Sequence, residues 1–119
     1  MLPRRRKRER MGVRVRNILR LPGHLKWVRG HECLCIKAGN CSGRMEAHHD
    51  RHGWFDGKEK PPDNRTVPLC AGHHGEGDRI GWWTWERQYG VNVAAAWADL
   101  WKASPHRITW ERKNEEAIL

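Results

Sequence analysis

The sequence has no apolar run near the roughly 20 residues that a membrane span requires, which excludes an integral helical membrane protein. It has no apolar stretch behind its basic N-terminus, so a secretory leader and a secreted disulfide miniprotein are both disfavoured. It contains no internal repeat. Acidic residues are scarce where basic ones are dense: residues 1–30 hold Glu9 alone against eleven Lys or Arg, whereas residues 31–119 hold thirteen acidic and twelve basic residues. The formal charge of +9 therefore sits on a basic arm attached to a nearly neutral body. With 119 residues there is room for one domain. A chain of that size buries only about two-thirds of its unfolded surface, so its core is thin. Eight tryptophans can enlarge that core, and a metal staple can help hold it.

The arm carries Arg4, Arg5, Arg6, Lys7, Arg8, Arg10, Arg14 and Arg16. Such a run suits phosphate neutralisation, because each bound cation displaces counterions condensed on a nucleic acid. It has no strong apolar face to insert into a membrane surface. A solvated tail is the plainer alternative. Nucleic acid is the expected partner.

Val13, Ile18, Leu19 and Leu21 support a short helix towards the end of the arm, and Pro22-Gly23 breaks it. His24 to Gly30 reads as an approach segment. Residues 31–49 read as a hairpin with its turn around Gly39 to Gly43, and residues 50–63 as an exposed loop rich in Gly, Pro and charge. Thr66-Val67-Pro68-Leu69 is extended and leads into Cys70, with a helix from about Ala71. Ile80, Trp83 and Arg87 lie at helical spacing before a stop at Gly90, and a further helix covers Val93 to Ala103. Trp83, Trp97 and Trp101 are expected in the core.

Four cysteines, Cys33, Cys35, Cys41 and Cys70, accompany His73. Cys70-x-x-His73 has the spacing of a structural zinc half-site, since two intervening residues let both side chains converge on one tetrahedral ion. The other half comes from Cys41 with either Cys33 or Cys35. Reduced buried cysteines or a disulfide are the alternatives, and a chain without a leader favours metal. A second constellation joins His48-His49 to the segment His74 to Asp78. Helical positions four apart share a side, so His74 and Asp78 can hold one divalent cation and leave places for water and phosphate. His48 and His49 sit on adjacent extended residues and point to opposite faces. One suits a metal ligand, and the other suits a general base.

The strings Cys41-Ser-Gly-Arg-Met-Glu-Ala-His-His49 and Asp63-x-x-x-Val-Pro-Leu-Cys-x-x-His-His74 resemble the HNH endonucleases. They are most similar to small phage and prophage members of that ββα-metal superfamily. The resemblance extends through His24-Leu25-x-Trp27-Val28-Arg29-Gly30, Arg79-Ile80-Gly81, Tyr89-Gly90-Val91 and Leu100-Trp101-x-Ala103-Ser104-Pro105, covering roughly residues 24–105. It implies an α+β fold: a small zinc-stapled ββα-metal core with a basic N-terminal arm and C-terminal helices. The expected divisions are an arm over 1–22, a nuclease domain over 23–105 with its core at about 31–80 and a helical extension over 80–105, and a tail over 106–119.

The same resemblance implies a metal-dependent DNA endonuclease acting in phage DNA processing in the cytoplasm of a bacterial host. His49 is then the general base. His74 and His48 are ligands of one catalytic Mg²⁺, Mn²⁺, Ni²⁺ or Zn²⁺, with Asp78 where the family often has histidine. Cys33, favoured over Cys35, joins Cys41, Cys70 and His73 around a structural zinc. The asparagine of the family name is matched by Asn64, ten residues before His74 where nine is usual, so either Asp63 or Asn64 orients His49.

Overall fold

A computed structural model of the chain describes residues 19–54 and 60–118, with side chains as far as residue 113. The arm residues Arg4, Arg5, Arg6, Lys7, Arg8 and Arg10, and the helix expected from Val13 and Ile18, lie outside the described residues. The final part of the expected arm does not behave as an arm. Leu19 is buried, and Arg20 reaches the carbonyl oxygens of Lys60 and Pro61, both at 2.8 Å.

Helix α1 spans Pro22–Arg29. Pro22-Gly23 was expected to interrupt the chain, but Pro22 starts the helix instead. Proline is favourable at a first helical position, where its fixed φ suits the helix and its missing N–H costs nothing. His24 and Val28, four apart, are its buried face, and Lys26 and Arg29 complement the dipole in its last turn.

The hairpin expected within residues 31–49 does not form. Leu34 N–H donates to the Pro68 oxygen at 2.9 Å, Ile36–Ala38 makes one 3₁₀ turn, and Gly39 and Asn40 have positive φ. The backbone here wraps around a sulfur: the N–H groups of Cys35 and Cys70 both reach Cys33 Sγ at 3.4 Å. A wrapped loop has no extended edge left to pair.

Strand β1, Met45–His49, pairs antiparallel with β2, Thr66–Cys70, placing Met45 opposite Cys70 and His49 opposite Thr66. Every residue of β2 is buried, and Val67 and Leu69 enter the main core. A fully buried aliphatic side chain of this kind contributes roughly 1.5–3 kcal/mol. Pro68 is tolerated because in a two-stranded sheet each strand has one unpaired edge.

Helix α2, Ala71–Ile80, follows β2 without a connecting residue, and Cys70 is both the last strand residue and the helix cap. Gly81, at φ 93°, turns the corner into α3, Trp82–Tyr89, which Gly90 ends in the left-handed conformation. Asn92 caps α4, Val93–Ala103, by accepting from the Ala95 N–H at 2.9 Å. The stretch expected as a tail is helix α5, Pro105–Ile118. Proline again opens the helix, and Ser104 Oγ accepts from the His106 N–H at 3.1 Å.

The core joins Cys33, Cys35, Val67, Leu69, Cys70, Trp85 and Val93. Its tryptophan is Trp85. Trp97 and Trp101 are only half-buried, and Trp83, expected inside, is 68% exposed. The expected stripe of Ile80, Trp83 and Arg87 is not the one that packs inward; α3 turns Trp82, Trp85 and Tyr89 to the core, and the three tryptophans of Trp82-Trp83-x-Trp85 cannot all face one side. A smaller cluster docks α1 against α5: His24 is fully buried, hydrogen-bonded to Ser104 Oγ at 2.8 Å and set edge-on to Trp101. The 50–63 loop is anchored at both ends, because Asp50 and Asp63 are each 2% exposed. Among the described residues no helix is long and apolar enough to cross a membrane.

Candidate metal centres and catalytic cleft

The first centre is a Cys3His cluster. One ligand atom each from Cys33, Cys41, Cys70 and His73 lie within 4.8 Å of one another, and no cysteine is in a disulfide. His73 Nδ1 is 3.6 Å from Cys33 Sγ, 3.7 Å from Cys41 Sγ and 3.1 Å from Cys70 Sγ. Zinc bonds of about 2.3 Å to sulfur and 2.1 Å to nitrogen, at the tetrahedral angle, separate those atoms by about 3.6 Å. Two of the three edges match that figure and the third is shorter. The group can hold a metal ion such as zinc.

Three segments of the chain place the four ligands. Cys70 and His73 come from the start of α2, Cys33 from the wrapped loop, and Cys41 from the segment that crosses the first turn of α2. That crossing is tight: Ser42 and Arg44 carbonyls accept from the Gly72 and Ala71 N–H groups, each at 2.9 Å. A Cβ on Gly72 would meet Ser42 Oγ, which would have to rotate away. Burial pushes the Cys70 thiol up, but the His73 and Ser42 N–H groups and the His73 ring outweigh it and bring it down to about 6. A sulfur at a helix N-terminus is stabilised as thiolate, the form that binds metal.

Cys35 stands apart from the four. Burial first, and then the neighbouring sulfurs, push its thiol up to about 12, so it stays a neutral core group. Of the two cysteines left open by spacing, the geometry brings Cys33 to the cluster.

The second centre takes His74, the residue after His73, from α2 and His48 from β1. His48 Nδ1 and His74 Nε2 approach to 3.2 Å. Two nitrogens each about 2.1 Å from one ion are separated by about 3.0 Å at a right angle and about 3.4 Å at the tetrahedral angle. The observed separation falls between these values. Burial, and then the His74 and His49 charges, push His48 down to about 3, so at neutral pH no proton charge opposes a cation. Asp78, exposed, places Oδ2 4.0 Å from His74 Nε2 while its Oδ1 accepts from the Trp82 indole at 3.3 Å. It borders the pair at longer range than His48 does.

Glu46 was not anticipated as part of this site. Its Oε1 accepts from His74 Nδ1 at 2.9 Å, which leaves the Nε2 lone pair of His74 directed at His48. A carboxylate behind a ligating imidazole fixes its tautomer and ring orientation. The signal was available, since Glu46 and His48 are two apart on one strand and share a face. Trp82 was also missed. Its ring stacks on His48 at 4.0 Å and 23°, fitted over Gly77, where any Cβ would collide with it.

His49 meets Asp63, not Asn64. Its Nε2 lies 2.9 Å from Asp63 Oδ1, so Nε2–H donates to the carboxylate and the lone pair is left on Nδ1. Asp63 is the buried junction of three segments, accepting also from the Leu21 N–H at 2.8 Å and facing Arg20 at 3.4 Å. Burial pushes its carboxyl up, but the His49 and Leu21 hydrogen bonds with the His49 and Arg20 charges outweigh that and hold it below the ordinary value. Asp63 and Asn64 are the two central residues of one turn, closed by the Arg65 N–H to the Pro62 oxygen at 3.0 Å, and it is Asp63, buried where Asn64 is half-buried, that meets His49.

His48 and His49 were expected on opposite faces, yet both line one cleft of about 240 Å³ with Asp50, Arg51, His52, Lys60, His74, Asp78 and Trp82. His49 is the last residue of β1, where the chain leaves the sheet and strict alternation ends. The turn after it is fixed from α4: Trp97 Nε1 donates to Asp50 Oδ2 at 2.9 Å, and Arg65, over the Trp97 ring, donates to the His52 oxygen at 2.6 Å. Compared with protein-family models, curated proteins and solved structures, the chain matches none.

Proposed function

We propose that this chain is a metal-dependent DNA endonuclease of the HNH type, with one divalent cation and a histidine general base. The single observation that carries the reading is the pairing inside one cleft. A pair of imidazoles placed to share a cation, His48 and His74, stands beside a third histidine, His49, whose Nε2 is held by a buried carboxylate. The strand–strand–helix order of β1, β2 and α2, and the resemblance of the two histidine strings, support it further.

The residues divide the work. His48 and His74 hold the cation, with Asp78 at the open side and Glu46 fixing the His74 ring. A bound divalent ion supplies charge stabilisation on the phosphoryl group and on the leaving 3′ oxygen. His49 Nδ1 takes the proton of the attacking water, and Asp63 keeps the ring in the tautomer that can do so. By the resemblance the products are 5′-phosphate and 3′-hydroxyl ends. Arg51 and Lys60 bring positive charge to the cleft, and the arm Arg4 to Arg10 adds sequence-independent affinity for duplex phosphates. The Cys3His centre, holding a structural zinc, keeps β2 and the start of α2 in register, so that His74 stays opposite His48.

Supercoiled-plasmid cleavage tests this, titrating Mg²⁺, Mn²⁺, Ni²⁺ and Zn²⁺ with His49→Ala alongside. Nicked or linear product from the wild type and not from the variant supports the assignment. No cutting with any metal, alongside plasmid retention, would replace it with a zinc-stabilised nucleic-acid-binding module.

A further inference from the structure

Trp83 is a large aromatic ring that the core does not use. It is 68% exposed on the outer side of α3. One face stacks on the His52 imidazole, with ring centres 4.0 Å apart and planes 14° from parallel. His52 also lines the cleft that contains His48, His49 and His74. The His52 backbone N–H donates to Asp50 Oδ1 at 3.0 Å, and its ring Nδ1 faces the Asp50 and Glu86 carboxylates at 3.5 and 3.9 Å. The His52–Trp83 stack is thus a preformed aromatic step leading out of the cleft.

Beyond the step lies an open groove of about 530 Å³ lined by Trp83, Glu86, Arg87, Gly90, Val91 and Asn92. Arg87 is one turn after Trp83 on the same side of α3 and forms no ion pair among the described residues. Glu86 is committed to the Val93 N–H, at 2.9 Å. Asn92 Oδ1 is committed to its helix cap, which leaves the amide N–H groups of Asn92 for a ligand. A flat π surface, a guanidinium one turn away and an amide donor match the three parts of a nucleotide: base face, phosphate and base edge.

We propose that this groove binds an unpaired nucleotide next to the phosphate to be cut, with its base stacked on Trp83. Single-stranded, flapped or locally opened nucleic acid is then the preferred substrate class of the cleft. A base inside a duplex already has both faces covered by its neighbours, so only an unpaired one can use the ring. Arg87 lines the groove beside Glu86, and Arg51 and Lys60 line the cleft beside Asp50 and Asp78, so both carry cations that the phosphates of a passing strand can meet. The proposal rests on the nuclease reading only for the location of the scissile phosphate.

The test is equilibrium binding without added divalent metal, so that it stands apart from any failure to cleave. A labelled single-stranded 16-mer and a hairpin duplex are titrated with wild type, Trp83→Ala and Trp83→Phe. Trp83→Ala is expected to weaken single-strand binding about tenfold, the usual effect of losing one base–aromatic stack, and duplex binding less than about twofold. Trp83→Phe retains most of the single-strand affinity. Equal losses on both probes, or no loss on either, would overturn the proposal. So would a change in oligomeric state of Trp83→Ala by light scattering, which would assign the ring to protein contact instead. Unchanged zinc content and melting temperature confirm that the exposed substitution leaves the fold intact.

Discussion

Cys41 offers a test in which two readings of the same substitution differ severalfold. Its side chain is exposed, and its Sγ approaches the rest of the protein at the Cys3His group. If no metal is held there, Cys41→Ser is an ordinary surface change, within about 0.5 kcal/mol. That corresponds to about 2 °C in melting temperature for a domain of this size. If the group holds zinc, the substitution removes one of four ligands from a site whose binding energy is about 10–16 kcal/mol in small zinc domains. Losing even a quarter of that costs about 3 kcal/mol, or about 12 °C. In a fold whose total stability is of order 5–15 kcal/mol, this is a large fraction. Cys35→Ser is the control. It places a hydroxyl in the core at a cost of about 1–3 kcal/mol, but it leaves the four ligands in place. The assay pairs metal content by elemental analysis with thermal unfolding. Cys41→Ser should lose zinc and melt about 12 °C lower, whereas Cys35→Ser should melt lower with zinc retained at one ion per chain. A Cys41→Ser protein that keeps its melting point within about 2 °C would refute the structural-zinc reasoning. A Cys35→Ser protein that loses zinc would show that the wrong cysteine had been chosen.

Three further outcomes follow from the geometry. Glu46→Gln should weaken Mn²⁺ binding at the His48–His74 site about 10–100-fold by calorimetry, with the zinc content of the Cys3His group unchanged; equal affinity would remove Glu46 from the site. Asp63→Asn should lower plasmid cleavage by about 100-fold or more, because the His49 tautomer is no longer held, and a rate within threefold of wild type would sink that role. Burial and the neighbouring His106 push His24 down from 6.5 to about 4, so between those values the unfolded chain binds the proton and the folded one does not. The resulting stability is complete above about pH 6.5 and is lost as the pH falls towards 4, amounting to about 3 kcal/mol. Denaturant unfolding at pH 7 and pH 5 should therefore show a smaller pH-dependent loss for His24→Leu than for wild type, and identical losses would show that His24 is not the sensor.

The parts legible in the sequence are those set by local chemistry. Cys70-x-x-His73 and His74-x-x-x-Asp78 each place their members on one helical turn whatever the rest of the chain does, and both spacings reappear on α2. Gly90 as a stop and the Val93 to Ala103 helix were likewise fixed by local conformational preference. Pro22 opens a helix where a break is expected, because a break and a start have the same local signal. Whether Pro22 ends one element or opens the next depends on what packs behind it, here the buried His24–Val28 stripe.

Tertiary structure decided what depends on partners distant in the chain. Residues 45–49 pair with 66–70 and not with residues 31–44, because the cysteine loop that precedes them spends its backbone on the Cys33 sulfur. The choice of Cys33 over Cys35 was open by spacing and was made by which sulfur faces α2. Asp63 replaced Asn64 because the Leu19–Leu21 segment folds over position 63 and buries its carboxylate against His49. Trp85 took the core and Trp83 the surface, since α3 can turn only one stripe inward and α2 and α4 set which one. The sequence by itself determined which residue types were candidates for ligands and how neighbours on a helix share a face; packing determined which of them meet and brought in Glu46 and Trp82, because proximity across a fold is a property of the assembled chain and not of any segment.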